Sequence, residues 1–85
     1  MKIDIEIPDY SSEDGMKIVW EDGFVIESAV ADNSVVIRAN AAGLVSLARQ
    51  LLTLAQETVP TGNHIHYDDL NSLEDGSCEI VIEKI

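Results

Sequence analysis

The sequence predicts an α+β fold: an antiparallel sheet of about five strands with one long helix, about residues 41–57, packed on one face. Three observations predict it. Short runs alternate apolar with polar residues between Asp, Asn and Gly pairs, as half-buried strands joined by tight turns do. One later stretch changes to three- and four-residue apolar steps, the period of an amphipathic helix. The chain has 85 residues, 46% of them apolar, enough for one core and too apolar for a disordered segment. Residues 1–85 therefore read as a single small domain.

Ile3, Ile5 and Ile7 alternate with Lys2, Asp4 and Glu6, a first strand with one wet face that Pro8 ends by lacking an N–H. Asp9–Gly15 reads as a polar loop. Met16–Glu21 and Phe24–Ala31 flank Asp22-Gly23, a pair suited to a type I′ hairpin turn. A second turn at Asp32-Asn33 leads to Ser34–Ala39, so three strands should form a meander. Ile18, Trp20, Phe24, Ile26, Val35 and Ile37 are its candidate core residues, and Lys17, Glu21, Glu27 and Arg38 face water.

Asn40 is placed to cap the helix, because its side chain accepts from the free N–H groups of the first turn. Leu44, Leu47, Ala48, Leu51, Leu52, Ala55 and Val59 form the stripe expected to cover the sheet. Ser46, Arg49, Gln50, Thr53, Gln56 and Glu57 form the expected outer face. Val59-Pro60-Thr61-Gly62 stops the helix. His64–Tyr67 is a short extended segment, Asp68–Gly76 a polar loop or helical turn, and Ser77–Ile85 the last strand. On that strand Ile80 and Ile82 share one face, and Glu79, Val81 and Glu83 the other.

Charge narrows the function. Sixteen Asp and Glu against five Lys and Arg give a formal net charge of −11. Self-repulsion at that density opposes folding, so the field points to a use, and its natural counterpart is a basic partner. Nucleic acid and anionic lipid are repelled. Cys78 is the one cysteine, which excludes an internal disulfide and fits a reducing compartment. The charged start, Met1 to Ile7, is unlike a secretory signal, and no apolar run approaches a membrane span. A cytoplasmic location is expected.

The residues assign no catalytic group and no cofactor. There is no Gly-rich phosphate loop, no nucleophile elbow and no basic patch with aromatics. Cys78 on the Ile80/Ile82 side reads as a small apolar core residue, its thiolate disfavoured by surrounding negative charge. His64 and His66 lie on one side of a strand with Asp68 and Asp69 behind. That spacing permits Zn²⁺ if further ligands converge, and equally suits two strand-end histidines bonded to backbone or carboxylate. Tyr67-Asp68-Asp69-Leu70-Asn71-Ser72-Leu73-Glu74-Asp75 combines acids, an aromatic and leucines, the mix of apolar anchors and steering charges that protein-binding sites use. Tyr67, Asp68, Asp69, Leu70, Glu74 and Asp75 are the candidate partner-binding residues. Leu70 and Leu73 equally suit a role in pinning the loop to the core.

The run Ala42–Gln56 leads through Val59-Pro60 and Gly62 to His64-Ile65-His66, then Asn71, Leu73, Gly76-Ser77 and Ile82-Glu83-Lys84. Over about residues 39–85 this resembles the immunity protein 32 family of bacterial polymorphic toxin systems, a set of small α+β proteins. The resemblance implies immunity against a cognate toxin. It carries over no toxin-contacting residue, and the family's His-x-His position matches His64 and His66. Together with the charge it predicts a non-enzymatic, bacterial cytoplasmic protein that occludes a basic toxin's active site. The alternatives are a small metal-binding protein or enzyme centred on His64, His66 and Asp68, and a structural subunit that associates with itself.

Overall fold

The computed structural model describes residues 1–85. In chain order the elements are β1 (Ile26–Ala31), β2 (Ser34–Ala39), α1 (Ala41–Leu54), β3 (His64–Tyr67) and β4 (Ile80–Glu83). The α+β class holds. The single sheet of about five strands does not: two antiparallel pairs, β1–β2 and β3–β4, stand in its place.

Residues 2–7 and 16–21 form no strand, and the reason lies in where their backbone groups find partners. A peptide N–H or C=O removed from water needs a partner, and a side chain serves as well as a neighbouring strand. Here side chains of α1, and Gln56 just past its C-cap, supply them. Arg49 Nη1 donates to the Glu6 carbonyl at 2.6 Å, and Gln56 Nε2 donates to that of Pro8 at 2.9 Å. Gln56 Oε1 accepts the Tyr10 N–H at 3.2 Å. Further along, Gln50 Nε2 donates to the Val19 carbonyl at 3.0 Å, and the Glu21 N–H donates to Ser46 Oγ at 2.8 Å.

The helix is therefore turned the opposite way from its apolar stripe. Its buried residues are Gly43, Ser46, Gln50, Thr53 and Leu54, while Leu44, Val45, Ala48, Leu51 and Leu52 are exposed. Of the expected core stripe, Val59 is buried and Leu47 half-buried. Asn40 does cap the helix, accepting the Gly43 N–H at 2.8 Å through Oδ1. The same oxygen accepts the Val25 N–H at 3.0 Å, and Nδ2 donates to the Gly23 carbonyl at 2.9 Å. The cap thus ties the helix to the chain entering β1. Gly43 permits the approach: a Cβ there would stand 2.6 Å from the Val25 carbonyl oxygen and 2.8 Å from Ile26 Cγ1. Past the other end Lys84 Nζ donates to the Gln56 and Val59 carbonyls at 2.6 and 2.8 Å, tying β4's end to the turn that leaves the helix.

The meander reduces to one hairpin. Asp32 and Asn33 have φ of 49° and 66°, the pair of positive values that a type I′ turn demands, and Ala31 pairs with Ser34 across it. Asp22-Gly23 turns the chain without a ladder on either side. Val35 and Ile37, expected in the core, are exposed on β2. The other edge of β1 is covered by the segment leading to β4, since the Glu74 and Cys78 N–H groups donate to the Ile26 and Ser28 carbonyls at 2.9 and 3.2 Å.

The core consists of Ile26, Leu54, Val59, Ile65, Tyr67 and Leu73, with Ile18, Trp20, Phe24, Leu47, Ile80 and Ile82 among the half-buried side chains packed against it. Trp20 stacks on Phe24 with ring centroids 4.3 Å apart and meets Tyr67 edge-on at 6.1 Å.

Candidate partner-binding surface

Strand β3 decides which of the candidate side chains reach solvent. Alternation puts Ile65 and Tyr67 inward and His64 and His66 outward. Tyr67 is fully buried, its hydroxyl donating to Gln50 Oε1 at 2.7 Å. Burial pushes its pKa from 10.0 up to about 12, because a phenolate there would lose its water. Tyr67 belongs to the core and offers a partner no surface.

The remaining candidates sit on the turn that follows. Asp68 Oδ1 accepts the N–H groups of Leu70 and Asn71 at 2.9 and 3.0 Å, an Asx turn. Its carbonyl accepts the Leu73 N–H at 2.8 Å. Asn71 Oδ1 accepts the Asp68 N–H at 3.2 Å and also the Ser72 hydroxyl. Asp68 is thus the residue that builds the turn. Leu73 points into the core and Leu70 is 94% exposed, so the two leucines divide the pinning and presenting roles between them. Asp69, Glu74 and Asp75 are exposed. Arginines pair with Glu27 and Glu21 and His66 lies beside Glu79, so none of these three acids is neutralised by a cation. Asp75, Gly76 and Ser77 also line an open cleft with Glu27, Ser28 and Arg38 of the hairpin. An uncovered leucine next to the exposed Asp69, on a turn already held in shape, can meet an apolar and cationic surface with little ordering cost.

His64 and His66 do lie together, ring centroids 4.8 Å apart. Each is engaged elsewhere: His64 Nδ1 lies 3.0 Å from the Gly62 carbonyl and His66 Nδ1 lies 3.3 Å from Glu79 Oε2. Asp68 is directed into its own turn, and no group of three or more His, Cys, Asp or Glu gathers in a metal-binding arrangement. Cys78 is half-buried, its Sγ 3.4 Å from Ser28 Oγ. No helix is long and apolar enough to cross a membrane.

One surface escaped the sequence reading. Every exposed residue of α1 is apolar: Ala41, Leu44, Val45, Ala48, Leu51 and Leu52. A signal for it existed. In a chain with sixteen acids, residues 41–54 contain none, which is unlike a face meant for water.

The model of the immunity protein 32 family matches residues 34–85. That span begins with β2 and takes in α1, β3, the acidic turn and β4. No curated protein and no solved structure matches the chain. The match covers more than half of the chain, and the chain belongs to the immunity protein 32 family.

Proposed function

We propose that this member of the immunity protein 32 family is a non-enzymatic binding protein that neutralises a cognate bacterial toxin. It does so by covering a basic active site, with the turn after β3 as the contact. Family membership over residues 34–85 carries the role. The choice of surface rests on Leu70, 94% exposed among the unpaired Asp69, Glu74 and Asp75. An apolar side chain that becomes buried in the complex anchors it, and a net charge of −11 accelerates encounter with a cationic cleft. The bacterial cytoplasm, where a lone cysteine stays reduced, is the compartment that fits.

The coding sequence directly upstream of this gene is the place to look for the toxin, and a basic C-terminal domain found there is the partner to test. Mixed in low salt, the two proteins should associate with an on-rate roughly 10- to 1,000-fold above that in high salt. Leu70→Arg should weaken the complex by about 30-fold or more, the loss typical of a hot-spot residue. Absence of any complex between the two purified proteins would refute the role. A complex indifferent to Leu70→Arg and to Asp69→Lys/Asp75→Lys would refute the surface and leave the role standing.

A further inference from the structure

The exposed face of α1 has an internal symmetry. Read in order, its residues are Ala41, Leu44, Val45, Ala48, Leu51, Leu52 and then Ala55, the exposed C-cap. Folded about Ala48, the row matches itself: Leu44 faces Leu52, Val45 faces Leu51, and Ala41 faces Ala55. Two such helices laid antiparallel with Ala48 on a two-fold axis set large side chains on large ones and alanine on alanine. A two-fold interface must be self-complementary in this way, residue i meeting j while j meets i.

Charge selects the same occupant. Each copy carries −11, so two copies repel wherever their acids meet. Residues 41–54 hold no Asp or Glu, and Arg49, their single charged residue, is turned inward to Glu6 and Glu21. Within this row one acidic molecule can meet another without repulsion; the acids at its border, beside Ala41 and Val45, are Glu21, which is bonded to Arg49, and Asp22. The row itself, without an acid, offers a basic toxin no anion. The side chains are substantial: Leu44 is 56% exposed, Leu52 48%, Leu51 44% and Val45 40%. The row runs for about 20 Å, which places the contact at the small end of specific interfaces and makes the dimer weak, with a Kd on the order of 100 μM.

We infer that a second copy of this chain packs antiparallel on the exposed face of α1, centred on Ala48. This goes beyond the toxin-binding role and does not depend on it. Sedimentation equilibrium of the full chain, up to about 1 mM, should show the mass doubling with concentration. High salt should favour the dimer, because screening relieves the repulsion between copies; toxin association responds to salt in the opposite sense. Leu51→Glu should hold the protein monomeric over the whole range with an unchanged far-UV circular dichroism spectrum, since Leu51 lies outside the core. In a Cys78→Ala background, Ala48→Cys should form a disulfide with itself on mild oxidation. Leu44→Cys should cross-link to Leu52→Cys when the two are mixed, and less to itself. A protein monomeric at the highest concentration in high salt overturns the inference, as does a dimer indifferent to Leu51→Glu. A monomer whose toxin affinity falls with Leu51→Glu also overturns it, assigning the face to the toxin.

Discussion

Replacing Tyr67 by Phe tests whether the reversed helix is held by the bonds on its inner face. The hydroxyl donates to Gln50 Oε1 at 2.7 Å, and both residues are fully buried. Gln50 in turn donates to the Val19 carbonyl, so one phenol supports the side chain that docks an unladdered segment. Without the hydroxyl, Gln50 Oε1 is buried with no donor, a cost of about 1–3 kcal/mol. For 85 residues the unfolding entropy is roughly 180 cal/mol/K, so the melting temperature should fall by about 5–15 °C. The pH dependence separates this loss from a generic packing defect. Tyr67 has a folded pKa of about 12 against 10.0, so between those values the unfolded chain releases its proton first. Stability is then fully present below pH 10 and falls as pH rises towards 12, by up to about 2–3 kcal/mol. Tyr67→Phe lacks that term, whereas the titrations of other groups are common to both proteins and cancel in the difference. Urea denaturation followed by Trp20 fluorescence should find the native protein ahead by about 1–3 kcal/mol at pH 8. The gap should close or reverse by about pH 11.5. A gap that stays constant over this range would refute a dry, hydrogen-bonded phenol; equal stability at pH 8 would refute the support of Gln50.

Two further substitutions probe how the helix is seated. Gly43→Ala forces a methyl against the Val25 carbonyl and Ile26 and should cost about 1–3 kcal/mol, against the usual gain from alanine in a helix; a stabilised variant would show the approach is looser than described. Asn40→Ala removes the bonds to Gly43, Val25 and Gly23 and should cost about 1–2 kcal/mol in thermal denaturation, while Asn40→Asp, which keeps the acceptor and loses only the donor to Gly23, should retain most of the stability.

Local chemistry was legible in the sequence, and backbone partnership was not. Asn40 as a cap, the turn at Asp32-Asn33, the extended His64–Tyr67 and the inward Ile80 and Ile82 each follow from a residue's own geometry or from a period of two. The alternation of Ile3, Ile5 and Ile7 is equally real, yet it leaves Ile3 67% exposed and only Ile5 and Ile7 half-buried. It cannot say whether a neighbouring strand or a side chain pairs with the peptide groups, and here Arg49 donates to one, while Gln56 donates to another and accepts from a third. The five-strand sheet failed on that distinction. On the candidate surface, the position of Tyr67 was available from the same rule that put His64 and His66 outward, because neighbours in a strand face opposite ways. Leu70 and Leu73, by contrast, differ in no local property. The hydrogen bonds that Asp68 makes to its own turn decide that one is pinned and the other presented.

The orientation of α1 joins these observations. Ser46, Gln50 and Thr53 are buried on its inner face, and each is hydrogen-bonded, so the desolvation cost of about 1–3 kcal/mol that an unpaired group carries is avoided at each. What the arrangement leaves unrealised is apolar burial. Leu44, Val45, Leu51 and Leu52 keep between 40% and 56% of their surface in water, about 1 kcal/mol each of hydrophobic stabilisation not taken up. In a domain of 85 residues whose whole stability is about 4–13 kcal/mol, that is a large fraction. A rotation of the helix to bury the leucines would break the bonds to the carbonyls of Glu6, Pro8 and Val19 and expose the side chains that make them. The bonds that seat segments 6–10 and 19–21 thus create the uncovered face, and the absence of any acid within residues 41–54 keeps that face open to an equally acidic second copy. The carboxylates of Asp69, Glu74 and Asp75, in the segment after β3, stay exposed with no cation beside them.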